Sequence, residues 1–451
     1  FTMCSILCVD KKIENYDEIN HYLRYRGPDK TTLIEDSSND FTFIHNLLSI
    51  TGEFTPQPFV EDGVVFLFNG EIYNYKDFGD YNSDGECIID LYKEYGVEFV
   101  KKLDGEFAMV LLDFINDKVV IATDPFKTKP LFCSISESEF GVSTYRTPLD
   151  LLNYKNVCKM KPNTCMVFKL SDYTKLDEFE IVKWDLNQHK THFEDWNQAF
   201  KEAIIKRTHN TDKKIFMGLS SGYDSGAIAC ELLKLDVPFK AYSVINKNEN
   251  TENMQVLNHR HQLISDSKLS SYENLYKTNE VREFHRKFIR DNSENFVWTI
   301  SSSATDYKER WNLCDDRGSA WISFICSHAI KEDRKIYLSG SGADEIFSDY
   351  GFNGRKFAQH SNFGGLFPND LKTIFPWNSF YKSSQESYLA KEEYTSGIYG
   401  IETRYPFLDK KVVQEFLLLD NRLKNSQYKS VLDNYFMKNN FSFSRGQKIG
   451  F

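Results

Sequence analysis

Two short stretches of small and acidic residues carry the spacing that phosphate chemistry needs. The first is Leu219-Ser220-Ser221-Gly222-Tyr223-Asp224-Ser225-Gly226. It follows an apolar run, Lys214 to Leu219, and opens a helical pattern from about Ser225 to Leu235. Small residues let backbone N–H groups approach phosphate oxygens, and a helix N-terminus adds a favourable dipole. Asp224 could reach a magnesium ion, which prefers a carboxylate plus phosphate oxygens. The GK[ST] ending of a Walker loop is missing. On this stretch alone, a Ser/Gly capping turn is an equal reading. The second stretch is Leu338-Ser339-Gly340-Ser341-Gly342-Ala343-Asp344-Glu345, again after an apolar strand, Lys335 to Leu338, and before a helix. Two such turns at the strand ends of one parallel sheet make a nucleotide cleft at its carboxyl edge.

A different chemistry is available near the start. Cys4 follows Met3. If Met3 is removed, the free α-amine, with an ordinary pKa of about 8, can act as base for the thiol of the same residue. A buried strand cysteine is the competing reading. Phe1-Thr2 reads as a remnant ahead of an initiator at Met3.

The elements that must position these groups fall into two rhythms. The first part reads as strands: Gly63 to Phe68, Phe107 to Phe114, Val119 to Thr123 and Cys165 to Leu170, with a hairpin turn at Asn116-Asp117. From Phe193 the pattern changes. A helix over Phe193 to Arg207 precedes the strand and helix at the first small-residue stretch, and a strand follows over Phe239 to Ile245. Strand, turn, helix and strand signal a parallel sheet. The boundary falls near Lys183 to His192. The polar segment Asn246 to Asn312 reads as long loops or helices, with a lid or partly mobile region as the expectation.

The 451 residues suit two domains of roughly 200 residues each. A net charge of −10 argues against a general nucleic-acid or anionic-membrane surface. Nine scattered cysteines without metal-ligand spacing argue against a disulfide framework and against structural zinc, and favour a reducing cytoplasm. No apolar run approaches the roughly 20 residues of a membrane span.

The two small-residue stretches resemble the SGGxDS and SGxGxDE loops of asparagine synthetases. Gly400-Ile401-Glu402-Thr403-Arg404-Tyr405-Pro406-Phe407-Leu408-Asp409 resembles that family's GxExRxPFLD block, and Arg445-Gly446-Gln447-Lys448 its RxxK block. In the first half, Arg26-Gly27-Pro28-Asp29, Phe68-Asn69-Gly70-Glu71-Ile72-Tyr73-Asn74, Ser83-Asp84 and Asp124 to Leu131 resemble RGPD, NGEIYN, SD and DxxGxKPL of class II glutamine amidotransferases.

The resemblance implies an N-terminal-nucleophile αββα sandwich over 4–190, then an α/β parallel-sheet ATP-pyrophosphatase domain over 191–451. In the first domain, Cys4 would attack glutamine. Asn69 and Gly70 would form the oxyanion hole, and Asp84 would bind the α-amino group. In the second, Leu219, Ser220, Ser221, Gly222, Tyr223, Asp224, Ser225, Val244, Ser339 and Gly340 would hold ATP and its pyrophosphate. Asp224 and Asp344 would hold magnesium. Lys448 would stabilise the charged transition state; a solvated surface lysine is its competing reading.

Three departures bear on substrates. The arginine expected to hold the glutamine carboxylate is replaced at Leu47. Ser341 stands where asparagine synthetases carry Glu and their β-lactam-forming relatives carry Tyr working with a glutamate; the resemblance implies that this glutamate is Glu402, the expected base, since serine is a poor one. Asp315-Asp316-Arg317 stands where a Thr-rich stretch is expected, and two acids there would repel a dicarboxylate. The implied function is glutamine-dependent, ATP-driven amidation of a small carboxylate, with aspartate as default and a uronic or sugar acid as the alternative acceptor. A synthetase with a vestigial glutaminase half and a nucleotide-binding pseudoenzyme are the other readings. A homodimer is left open.

Overall fold

The structure is a computed structural model describing residues 4–246 and 250–446. Phe1 to Met3 and Lys448 therefore lie outside the described residues.

The first half is built on two six-stranded antiparallel sheets. Its central strands, among them Ser5–Val9, Phe41–Leu47, Val64–Ile72 and Gly105–Asp113, are buried on both faces, which is why they read as continuous apolar runs, while Lys30–Asp36 and Lys175–Glu180 at the sheet edges are largely exposed. Along Val64–Ile72, Val65 and Leu67 face the other sheet, while Phe66 and Phe68 face a helical layer that includes Cys87–Tyr95. Gly105–Asp113 repeats the pattern, with Ala108, Val110 and Leu112 inward and Phe107, Met109 and Leu111 outward. The hairpin to Lys118–Thr123 turns at Asn116-Asp117, with Asp117 at φ +55°.

The outer face of the other sheet, through Leu7, Val9 and Ile44, carries only short helices. The second half completes its cover. Trp298 and Ile300 of a hairpin and Tyr394 and Ile398 from the region of the helix Ser384–Gly397 join the same core. One half thus forms part of the other's wall.

Regular structure stops at Glu180 and resumes at Glu194. The second half holds a five-stranded parallel sheet, in the order Ser271–Tyr276, Phe239–Ile245, Lys214–Gly218, Arg334–Leu338, Glu402–Arg404. Its faces alternate too. Ile215, Met217, Ile336 and Leu338 pack toward the helices Glu194–Thr208, Tyr223–Lys234 and Ser430–Asn439. Phe216, Tyr242 and Tyr337 pack toward Arg317–Ala329.

The segment Asn246 to Asn312 contains helices, as expected, and strands that the sequence reading did not give. Its described residues form the helix Thr251–Asp266, an edge strand of the parallel sheet, the helix Asn279–Asn292 and the hairpin Val297–Ser301 with Lys308–Asn312. No helix of the described residues is long and apolar enough to cross a membrane.

Candidate active sites

Lys214–Gly218 and Arg334–Leu338 are neighbours in the parallel sheet, so the turns that follow them lie side by side at its carboxyl edge. Their approach is close: a Cβ on Gly340 would stand 2.9 Å from Cβ of Asp224. Gly342 takes φ +98°, and a Cβ there would strike Leu408 at 2.4 Å, so the sharp entry into Ala343–Phe347 needs glycine. Within the first turn, the Ser220 and Gly222 N–H groups donate to Ser225 Oγ and Ser220 Oγ, at 3.0 and 3.1 Å.

Arg260, from the segment left unread in sequence, closes this turn from behind. Its guanidinium donates to the carbonyls of Ser220 at 2.6 Å and Gly222 at 2.8 Å, and to Ser442 O. Burial lowers its pKa to about 9. The turn's carbonyls are thereby drawn to one side. Val244 lies near the end of the adjoining strand.

Asp224 and Asp344 share a cation. Lys429 Nζ lies 2.5 Å from Asp224 Oδ1 and 3.0 Å from Asp344 Oδ1. Burial works against the ammonium charge, but the two aspartates outweigh it and hold its pKa above the usual lysine range. Tyr428 donates to Asp344 at 3.1 Å. A carboxylate pair that retains a buried ammonium is a donor set suited to a cation, and two carboxylates beside phosphate-sized turns fit magnesium. Lys429 sits in the left-handed region, φ +46°, just before an apolar helix, and nothing in its local sequence marks it.

In the second small-residue turn, Ser341 Oγ donates to Glu392 Oε1 at 3.1 Å. Glu392 is buried, and its other oxygen has no hydrogen-bond partner. Burial raises its pKa to about 7. Glu402 does not stand at this cleft. The parallel register pairs it with Ile336, below the turn, and its carboxylate accepts from Arg404 Nε at 2.6 Å. The family resemblance made Glu402 the base beside Ser341; the register sets it against Ile336 instead.

The two acids Asp315 and Asp316 are not bare charges. Arg286 pairs with Asp315 at 2.6 Å. Asp316 caps the helix Arg317–Ala329 through the Ser319 N–H, and lies 3.5 Å from Lys391. Arg317 is exposed.

In the first half, Cys4 precedes the strand Ser5–Val9. Its Sγ accepts from Leu48 N–H at 3.4 Å. Burial pushes the thiol up, and the carboxylates of Glu402, Glu71 and Asp84 push the same way. The strand Val64–Ile72 presents Asn69 and Gly70. The buried Asn69 Nδ2 has no hydrogen-bond partner, as an oxyanion-hole donor without substrate would. Gly70 takes φ +132°, and a Cβ would overlap Glu106 O at 1.9 Å. Asp84 accepts from Ile72 N–H at 2.8 Å, and burial raises its pKa to about 7. Leu47 is buried on its strand.

The two sites are tied by ions. Arg26 donates to Cys4 O at 3.2 Å and pairs with Glu393 at 2.8 Å. Lys129 pairs with Glu393 at 2.9 Å, and Tyr405 donates to the same carboxylate.

Comparison with known proteins bears on both halves. Residues 3–160 match the model of a glutamine amidotransferase domain, and residues 195–376 that of asparagine synthase. A putative glutamine-hydrolysing asparagine synthetase of Methanocaldococcus jannaschii is 28% identical, over 94% of this chain and 82% of that protein. The chain belongs to the glutamine-hydrolysing asparagine synthetase family. Further relatives of this family are a probable asparagine synthetase of Schizosaccharomyces pombe, 26% identical over 93% of this chain and 76% of its own length, and one of Rattus norvegicus, 25% over 89% and 74%. With an amidotransferase domain and an asparagine synthase domain in one chain, it is a glutamine-dependent C–N ligase. A solved glutamine phosphoribosylpyrophosphate amidotransferase from B. subtilis aligns over 62% of this chain and 67% of its own, at 12% identity and a TM-score of 0.32, too loosely to bear on the fold.

Proposed function

We propose that the chain activates a small carboxylate with ATP as an acyl-adenylate and amidates it with nitrogen released from glutamine. The observation that carries this reading is the placement of Asp224 and Asp344 on adjacent strand ends, sharing Lys429 beside two small-residue turns. Asp224 and Asp344 would hold magnesium, whose charge would neutralise the polyphosphate as it leaves. Lys429 would exchange its aspartate contacts for phosphate oxygens. The Ser220 to Ser225 turn would bind pyrophosphate through backbone N–H groups, with Val244, Ser339 and Gly340 bordering the nucleotide. Lys448 keeps its expected role at the transition state.

Glu392, in place of Glu402, would take the proton released when ammonia attacks the acyl carbon. Its pKa of about 7 suits that transfer at neutral pH. In the amidotransferase half, an N-terminal-nucleophile αββα sandwich, Cys4 would form the thioester, Asn69 and Gly70 would stabilise its oxyanion, and Asp84 would bind the glutamine ammonium.

The paired state of Asp315 and Asp316 removes the repulsion argued against aspartate. Ser341 is what remains. A neutral hydroxyl next to a buried carboxylate suits an acceptor rich in hydroxyls, such as a uronic or sugar acid. The test is pyrophosphate release and amide formation with ATP and ammonia, aspartate being compared with such acids. Exclusive use of aspartate would refute the acceptor assignment, and no pyrophosphate with any acid would refute the activity. The buried Leu47 favours a second reading, in which ammonia serves and glutamine serves poorly.

A further inference from the structure

Away from both sites, two cysteines face each other across the edge of a sheet. Cys158 belongs to the two-residue edge strand Cys158–Lys159 and is directly opposite Cys133 of Phe132–Ser136. Their sulfurs are 3.7 Å apart and share a hydrogen bond. Cys158 is exposed and Cys133 is buried beneath it.

We infer that Cys133 and Cys158 form a redox-active dithiol that closes to a cross-strand disulfide when a small-molecule disulfide oxidises it. The geometry requires little movement. The sulfurs are already in contact, and side-chain rotation on a two-residue edge strand brings them to bonding distance, about 2.05 Å. Exposure makes Cys158 the point of entry. Its hydrogen bond with Cys133 favours the Cys158 thiolate, and Arg146 and Lys161 lie near enough to add to that.

The exchange has two steps. The Cys158 thiolate attacks one sulfur of the external disulfide, whose S–S bond breaks and releases one thiolate, which takes a proton. Cys133 then gives up its proton and attacks Cys158 Sγ, and the second small thiol leaves. The dithiol loses two electrons, and one external disulfide becomes two thiols.

The site also has a neighbour. Lys159 Nζ lies 3.5 Å from Glu386 on Ser384–Gly397, the helix that carries Glu392 and Glu393. The disulfide would therefore pin an edge strand that touches the link between the two halves.

The test needs no catalytic assay and so stands apart from the proposed activity. The reduced full chain is incubated with oxidised glutathione, alkylated, digested without reduction and analysed by mass spectrometry. A linked Cys133–Cys158 peptide is expected, with two titratable thiols lost and Tm raised by roughly 5 °C, reversed by dithiothreitol. Cys133→Ser should stop at a stable glutathione adduct on Cys158, and Cys158→Ser should leave Cys133 unmodified. Glutathione retained on wild-type Cys158 without the linked peptide, or Cys133 reacting in Cys158→Ser, would overturn the proposal.

Discussion

Glu392 and Glu393 are consecutive on one helix yet serve opposite halves of the chain. Glu392 accepts from Ser341 of the second small-residue turn, and Glu393 is bound by Arg26, which also holds the carbonyl of Cys4. Neighbouring helical residues point about 100° apart, so one turn of helix can face two sites. The peptide bond between them joins the ion-paired contact of Arg26 with Cys4 O to the contact of Glu392 with Ser341.

Breaking that path should cost stability. Glu393, Arg26 and Lys129 are almost wholly buried. Glu393→Ala would leave two buried cations without the carboxylate they share, a loss of about 3–5 kcal/mol. Urea unfolding compared with wild type measures it. A change below about 1 kcal/mol would mean that water reaches the cluster.

At the phosphate turns, Asp224→Ala or Asp344→Ala should lower pyrophosphate release by about 100-fold or more while preserving the far-ultraviolet circular dichroism. Lys429→Met should do the same. Wild-type pyrophosphate release in any of the three would remove that residue from the phosphate site.

How much of this was legible in the sequence depends on what each residue needs. That Asp224 and Asp344 come together was legible because strand, turn and helix are local, and two such units set on adjacent parallel strands meet at one edge. Glu402 was carried over from a family resemblance, which does not give register: it pairs with Ile336. Arg260 was missed with its segment. The edge strand Ser271–Tyr276 buries Leu275 alone and shows no apolar alternation, whereas the helix Asn279–Asn292 does repeat apolar residues at helical spacing, Val281, Phe284, Phe288 and Ile289. Lys429 and Glu392 act through contacts distant in sequence, 205 residues to Asp224 and 51 to Ser341.

Glu392 gives a pH prediction with a definite sign. Burial raises its carboxyl from 4.5 to about 7, so between those values the native chain holds a proton that the unfolded chain has lost. Its contribution to stability therefore falls as pH rises from about 4.5 to about 7. Glu392→Gln should flatten that part of the slope, read from denaturation midpoints at pH 5 and pH 8. The same change should lower amide formation and abolish its rise through pH 7, while acid-dependent pyrophosphate release persists. An unchanged pH–rate profile would exclude Glu392 as the base.

The amine of Cys4 sets the last prediction. A chain beginning at Cys4 should hydrolyse glutamine, and one retaining Phe1-Thr2-Met3 should not, while both use ammonia. Cys4→Ala should behave like the extended chain. Equal glutamine turnover by the extended and trimmed chains would count against self-activation by the amine.

The Arg26–Glu393 pair also imposes an order on biosynthesis. Its members are 367 residues apart, so at about 5–20 residues per second the ribosome needs about 20–70 s to supply the second after the first. Throughout that interval the nascent amidotransferase half carries Arg26 and Lys129 without the acid that neutralises both. The Cys4 carbonyl is thus held by an arginine whose own anchor has not yet been made. Translation itself would delay full assembly of the ammonia-producing half until most of the ammonia-consuming half is present.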